Sequence, residues 1–338
     1  MFSVNPLCAL CHLPAGRVRQ AMITIFHDTD GWLEAADDWQ PGSWIHVEAP
    51  AEAELELLHK RAGVPLSFLH AALDPREVAR TDSRQGVHLV IARAPTVKPD
   101  SPVAPFQTMP LAMIIAPDYF ITLSHSAIDF VRDLHYEQHE EEVVTRRAGR
   151  MILVILGVIA EWYLRHLEEV DEQQEVVENK LKDSIENSEM LELLRYEKSL
   201  VNMKTGLEWN YQMVEHLQQR EHFEWQEDDR DLLADVLIEY RQGYHVADTM
   251  LTMLESTTDA FASLISNNLN VVMKFLASVT IVLTIPTLVA SIYGMNIPLP
   301  GADHPYIMAF ILIGAIVLTL FVAGWFYRRG WLSFRWRK

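Results

Sequence analysis

Two apolar runs dominate the last third of the chain. Residues 275–293 (FLASVTIVLTIPTLVASIY) and 306–327 (YIMAFILIGAIVLTLFVAGWFY) hold no Asp, Glu, Lys or Arg. About 20 apolar residues cross a bilayer core as a helix, so both are predicted transmembrane helices. A shorter run, MILVILGVIA at 151–160, lies between Arg150 and Glu161 and is predicted to be a buried helix of the water-facing part. Between the two spans stands GMNIPLPGADHP at 294–305, rich in Pro and Gly and free of Lys and Arg. It is too short for a domain and reads as a cap over a helix hairpin.

Upstream, residues 22–135 mix two periods. Strand patterns fall at 22–27, 44–48, 87–92, 111–116 and 119–124, with Pro117-Asp118 as a short hairpin turn. Helical patterns fall at 51–62 and 66–73. From about Ala127 the pattern turns helical, and no proline occurs between Pro117 and Pro286. Residues 136–227 fit two long antiparallel helices with a break near Asn187. Residues 228–274 fit a stalk helix that runs on into the first span. Leu237, Tyr240, Tyr244, Ala247, Leu251, Leu254, Thr258, Phe261 and Ile265 recur at steps of three and four, a seam for packing against neighbouring helices. A helix from Asp229 to Tyr293 would be about 97 Å long, which suits an oligomeric stalk. The expected fold class is an α+β membrane protein: an N-terminal cytoplasmic α/β domain, long antiparallel helices, and a stalk continuing into the first of two C-terminal transmembrane helices. Residues 1–21 lack the apolar core of a signal peptide and read as a flexible tail. Residues 328–338 form a basic tail.

Within the first span a second face carries Ala277, Thr280, Thr284, Thr287 and Ser291, extended upstream by Ser266, Asn270 and Met273. Two readings fit: close helix packing through small residues, or the wall of a water-filled lumen made by several copies of the helix. Pro286 removes one backbone hydrogen bond and frees the carbonyl of Val282.

Charge sets the orientation and the partner class. The net charge of −18 over 338 residues excludes a nucleic-acid backbone as the general partner and favours cations. Arg328, Arg329, Arg335, Arg337 and Lys338 follow the second span and Lys274 precedes the first. Both termini are therefore placed in the cytoplasm of a cell whose inner membrane holds the spans, with 294–305 outside. The two cysteines, Cys8 and Cys11, exclude a disulfide framework. No P-loop, nucleophile motif or H-E-x-x-H pair is present, so no enzyme is expected, and no organic cofactor.

YGMN at Tyr293 to Asn296, closing the first of two C-terminal spans, resembles the signature of the CorA family of magnesium channels. NNLNVVMK at 267–274 resembles that family's Asn-rich pore entry, and the order of parts agrees over nearly the whole chain. The resemblance implies a funnel-shaped homopentamer in the lipid bilayer. It implies an external selectivity ring of Gly294, Met295 and Asn296. It also implies a pore lined by Asn270, Met273, Thr284, Thr287 and Ser291, with Ala277 and Thr280 on the same face. Asp259 matches an acidic position for regulatory Mg²⁺ between protomers, and Asp100 is its expected partner. The loop IPLPGADHP departs from the family's usual acidic stretch, leaving Asp303 as the one carboxylate there. Gly294 is expected to let the backbone turn tightly before the amide of Asn296. The reading is Mg²⁺ uptake, with Co²⁺ or Ni²⁺ also admitted, gated by internal Mg²⁺. A zinc transporter of the same superfamily and a membrane-anchored helical scaffold or sensor are the alternatives.

Overall fold

The protein is seen in a computed structural model that describes residues 22–29, 32–128, 134, 147–183, 187–219, 223, 225–295 and 306–332. The predicted tail 1–21, the loop from Asn296 to Pro305 and residues 333–338 lie outside the described residues. The chain forms two compact units, Met1–Glu255 and Ser256–Lys338.

In the first unit seven strands build one mixed sheet: β1 (Met22–Thr29), β2 (Trp32–Ala36), β3 (Ser43–Glu48), β4 (Arg80–Arg84), β5 (Val87–Val97), β6 (Phe106–Ile115) and β7 (Tyr119–Ser124). Their order is β2-β1-β3-β7-β6-β5-β4. β3 and β7 pair in parallel, and every other neighbouring pair is antiparallel. The chain between β3 and β7, which includes α1 (Glu52–Ala62) and α2 (Leu66–Leu73), makes the crossover that a parallel pair requires. Strand alternation sends Leu89, Ile91, Ile114, Ile121 and Leu123 to one face, where they join Leu55, Leu58, Phe68 and Leu69 of the two helices. Val90 and Ala92 on the other face are equally buried, so the sheet is covered on both sides.

The two strands that the sequence pattern misses, β2 and β4, are the two edges of the sheet. WLEAA and RTDSR carry no clean alternation, because an edge strand buries less and is held by its backbone ladder. β4 returns to β5 through Gln85 (φ 53°) and Gly86 (φ 78°). Positive φ at both central residues is the type I′ geometry that matches strand twist, and glycine makes it easy. The turn at Pro117-Asp118 is a two-residue hairpin, with Ala116 and Tyr119 exchanging both backbone hydrogen bonds. β5 and β6 are longer than the pattern predicts and run through Pro95 and Pro110.

Where β4 ends, one side chain takes its place beside β5. Arg93 faces Pro110 across the β5–β6 ladder, and β4 pairs with β5 only as far as Ile91. Asn210, fully buried on α4 (Asn187–Gln218), supplies the missing partner. The Arg93 backbone N–H donates to Asn210 Oδ1 at 2.7 Å, and Asn210 Nδ2 donates to the Arg93 carbonyl at 2.8 Å. The side-chain amide thus acts as one residue of an extra strand. Tyr163 on α3 (Ala148–Asp183) donates to the same carbonyl at 3.0 Å. The Arg93 guanidinium, also buried, gives all its N–H groups to Pro75 O, Glu77 O, Thr108 O and Thr108 Oγ1.

α3 and α4 run antiparallel, with Tyr163 against Gly206, where a Cβ would overlap the Tyr163 hydroxyl. The early part of α5 (Glu227–Tyr293) lies along both. Arg147 forks onto both carboxylate oxygens of Asp229 at 2.8 Å, and the Tyr240 hydroxyl donates to Leu156 O at 2.9 Å. The run 151–160 is largely buried here. The seam read from the sequence is filled within the chain at Tyr240, Ala247 and Leu254, each fully buried. A different apolar set, Ile238, Val246 and Met253, stays exposed on α5.

Asn210→Ala strands the N–H of Arg93 in a dry interior and takes one of its carbonyl's two donors, at an expected cost of about 2–4 kcal/mol. Gly206→Ala should fall in the same direction by overpacking. Thermal unfolding checks both, and an unchanged midpoint for Asn210→Ala would refute the clamp.

Candidate functional site

In the second unit the rest of α5 and α6 (Ile307–Arg328) are long and apolar enough to cross a membrane. Leu283, Leu288, Phe310 and Phe321 are all exposed, as suits side chains whose solvent is lipid or another protein. α5 continues as a helix through Pro286.

The stripe Asn270, Met273, Ala277, Thr280, Thr284, Thr287 and Ser291 is exposed at every member. The best-covered position of this span is Ser278, at 1 % exposure, with Val282, Ile285 and Val289 partly covered. At 100° per residue these lie roughly 150° around the axis from the stripe. The stripe therefore occupies the face away from the contacts made inside this unit.

Its hydroxyls have a fixed polarity. Thr280 donates to Leu276 O at 2.8 Å, Thr284 to Thr280 O at 2.7 Å and Thr287 to Leu283 O at 2.9 Å. Each of these three hydroxyls commits its one hydrogen to its own helix, the usual back-bond of Thr in a helix. What the three threonines leave outward is oxygen lone pairs, a ladder of acceptors within the stripe. Water bound to a cation points its hydrogens outward, and such a ladder is its complement.

At the helix end Gly294 N–H donates to Ala290 O at 2.9 Å and Met295 N–H to Ile292 O at 3.4 Å. Gly294 turns the chain without taking the left-handed conformation seen at Gly42, Gly63, Gly86 and Gly330. The helix ends at Tyr293, Gly294 makes a turn and Met295, exposed, stands at a bend. Asn296 lies outside the described residues, as does Asp303.

The two expected regulatory carboxylates belong to different units. Asp259 is exposed on α5. Asp100 is exposed in the β5–β6 connection, held on either side by Arg195, which donates to Pro99 O at 3.0 Å and Ser101 O at 2.8 Å. Beside that loop a cleft of about 420 Å³ is lined by Phe106, Glu169, Glu192, Arg195 and Tyr196 among others. Among the described residues no three His, Cys, Asp or Glu side chains converge as a metal-binding group. Mg²⁺ keeps several waters and takes one or two carboxylates, so each Asp is at most part of a site.

One ionisable group escapes sequence reading. Glu239, half-buried on α5, has its carboxyl pushed up to about 7, first by burial and then by Glu161 of α3 and Asp235. No sequence signal marks it, because burial at that position is set by how α5 lies on α3.

The sequence profile of the family described as CorA-like Mg2+ transporter protein matches residues 39–328. The cobalt/magnesium transport protein CorA of Methanocaldococcus jannaschii is 27 % identical over 293 residues, 86 % of this chain and 91 % of that protein. The protein of the same name from Thermotoga maritima is 24 % identical over 202 residues, 55 % of this chain and 54 % of that one. The complete structure of the CorA magnesium transporter from M. jannaschii superposes with a TM-score of 0.79 at 24 % identity, covering 93 % of this chain and all of that one. The ZntB cytoplasmic domain from Vibrio parahaemolyticus shares the fold more distantly, with a TM-score of 0.52 at 13 % identity, covering 74 % of this chain and 98 % of that one.

Glu239 holds its proton in the folded state up to about pH 7, whereas the unfolded chain releases it near 4.5. The stabilisation is whole below pH 4.5 and is lost as pH rises through 7. Glu239→Gln should therefore raise the unfolding midpoint at pH 8 and leave it nearly unchanged at pH 4.5. Melts at the two values check this.

Proposed function

The chain belongs to the CorA-like Mg2+ transporter family, and on that premise we propose that it is a membrane channel passing hydrated Mg²⁺ down its electrochemical gradient, with Co²⁺ and Ni²⁺ as further substrates. The observation that carries the reading is the acceptor ladder of Thr280, Thr284 and Thr287 on the outward face of α5. One helix encloses nothing, so a lumen requires several copies, and a homopentamer is the assembly proposed. Ile238, Val246 and Met253 offer a second copy an apolar face on the same helix.

Asn270, Met273, Ala277, Thr280, Thr284, Thr287 and Ser291 then line the path. Gly294, Met295 and Asn296 ring its outer mouth. Mg²⁺ dehydrates reluctantly, so the filter holds it through its waters. An amide ring accepts hydrogen bonds from those waters and carries no net charge, which lets the ion leave again. With both termini in the cytoplasm, a potential of 100 mV contributes about 2.3 kcal/mol per charge inward. The net charge of −18 adds a field that draws cations along the path. Asp259 and Asp100 from different copies would hold regulatory Mg²⁺. Loss of that ion restores repulsion between subunits and opens the channel.

Influx into proteoliposomes, with Mg²⁺ and Zn²⁺ offered separately, tests the path. Wild type should carry Mg²⁺, Asn296→Ala should abolish it, and Thr284→Val, which keeps shape and removes an acceptor, should slow it about fivefold or more. Zinc flux alone would move the protein to zinc transport, and no flux from a folded oligomer would reject the path. Asp259→Lys should leave influx intact and remove its closure by internal Mg²⁺. Unaltered closure would show that Asp259 senses nothing.

A further inference from the structure

The end of α6 forms a closed structure apart from the residues proposed to line the ion path. Trp331 N–H donates to Phe326 O at 2.9 Å, and Gly330 N–H donates to Tyr327 O at 3.0 Å, with Gly330 at φ 74°. This Schellman closure occupies carbonyls that the helix end would leave open, and only glycine adopts that φ without strain. It folds Trp331 back onto the helix. The Trp331 ring stacks on Phe326 with centroids 5.3 Å apart, and Phe326 meets Trp325 at 5.2 Å. Arg329 lies over the Trp325 ring at 5.3 Å.

The cluster has a dry centre and a wet, cationic rim. Phe326 is 4 % exposed, while Trp325 and Trp331 keep 46 % and 37 %. Arg328 and Arg329 are exposed, and among the described residues neither makes an ion pair or a hydrogen bond through its side chain. Cations at a helix C-terminus are favoured by the dipole, which explains their sign. The dipole does not explain an aromatic platform with guanidinium donors left open beside it. The cluster ends a span of 22 residues, at the depth where lipid headgroups lie and where Trp prefers to sit.

We propose that this cap is a seat for one anionic phospholipid. Its phosphate is taken by Arg328 and Arg329, as guanidinium groups take phosphates in two-pronged fashion. Its glycerol and upper acyl region rest on the Trp325, Phe326 and Trp331 rings. The seat requires that the chain reside in a membrane and does not require that it conduct Mg²⁺.

Native mass spectrometry of the full chain tests the seat. The detergent-purified protein is exchanged with phosphatidylglycerol and phosphatidylcholine of identical acyl chains. Wild type should retain phosphatidylglycerol in preference. Each arginine near an anionic surface is worth about fivefold, so Arg328→Gln with Arg329→Gln should weaken that preference about 25-fold. The corresponding pair of Lys substitutions should keep most of it. Trp331→Ala, which leaves both charges, should lower retention of both lipids. No preference in wild type, or a preference that survives the paired Gln substitutions with an unchanged melting profile, overturns the seat. Unchanged retention in Trp331→Ala removes the rings from it. Because ion flux is not the readout, failure here leaves the transport reading standing, and the reverse holds too.

Discussion

A bilayer core offers no partner for a backbone or hydroxyl hydrogen, and the second unit is organised around that lack. Along the stripe Thr280, Thr284 and Thr287 turn their hydrogens back onto their own helix, so each is satisfied from within whatever that face meets. The same economy decides what those side chains show outward, which is acceptors alone. The end of α6 obeys the rule differently. There the N–H groups of Arg329, Gly330 and Trp331 close the carbonyls of the last turn, and the closure brings three aromatic rings together. Hydrogen bonds closed within each helix thus leave two surfaces with distinct chemical characters.

The first unit meets water, and its constraint is the opposite one. Polar groups must be buried there if helices are to cover both faces of the sheet. Arg93 shows how this is managed: a buried guanidinium without a carboxylate, matched instead by carbonyls and a hydroxyl, and a backbone matched by the amide of Asn210. The clamp fastens α4 to β5 where the ladder to β4 has ended. Glu239 is less fully matched, and burial beside Glu161 leaves it holding a proton near neutrality.

These two regimes meet on α5, which begins by packing on α3 and α4 and ends as a span. Its first part buries Tyr240, Ala247 and Leu254 within the chain, leaving Ile238, Val246 and Met253 exposed. In the span its covered side is Ser278, Val282, Ile285 and Val289, leaving the acceptor ladder. In both parts one face is used within the chain and another is left over.

The sequence by itself determined the two spans, the central strands β3, β6 and β7 and the Thr stripe. Each of these is a run or a period long enough to read along one dimension, and lipid or a sheet core leaves few alternatives for such a pattern. It also carried the family resemblance, through YGMN and the order of parts. The edge strands β2 and β4 were illegible because an edge is held by its neighbour's backbone and needs no apolar side chains. The lengths of β5 and β6 were illegible because Pro95 and Pro110 argue against strands, and so was the partner of the Arg93 N–H, Asn210, 117 residues away. The seam on α5 was visible in the sequence, yet whether it serves α3 and α4 or another copy is a question of which surfaces meet. Only the tertiary structure decides that, since burial at Tyr240 or Glu239 depends on groups brought together across the fold. The polarity of the Thr ladder and the ring cluster behind Gly330 were hidden for the same reason: each depends on where a single hydrogen or a single φ points in space.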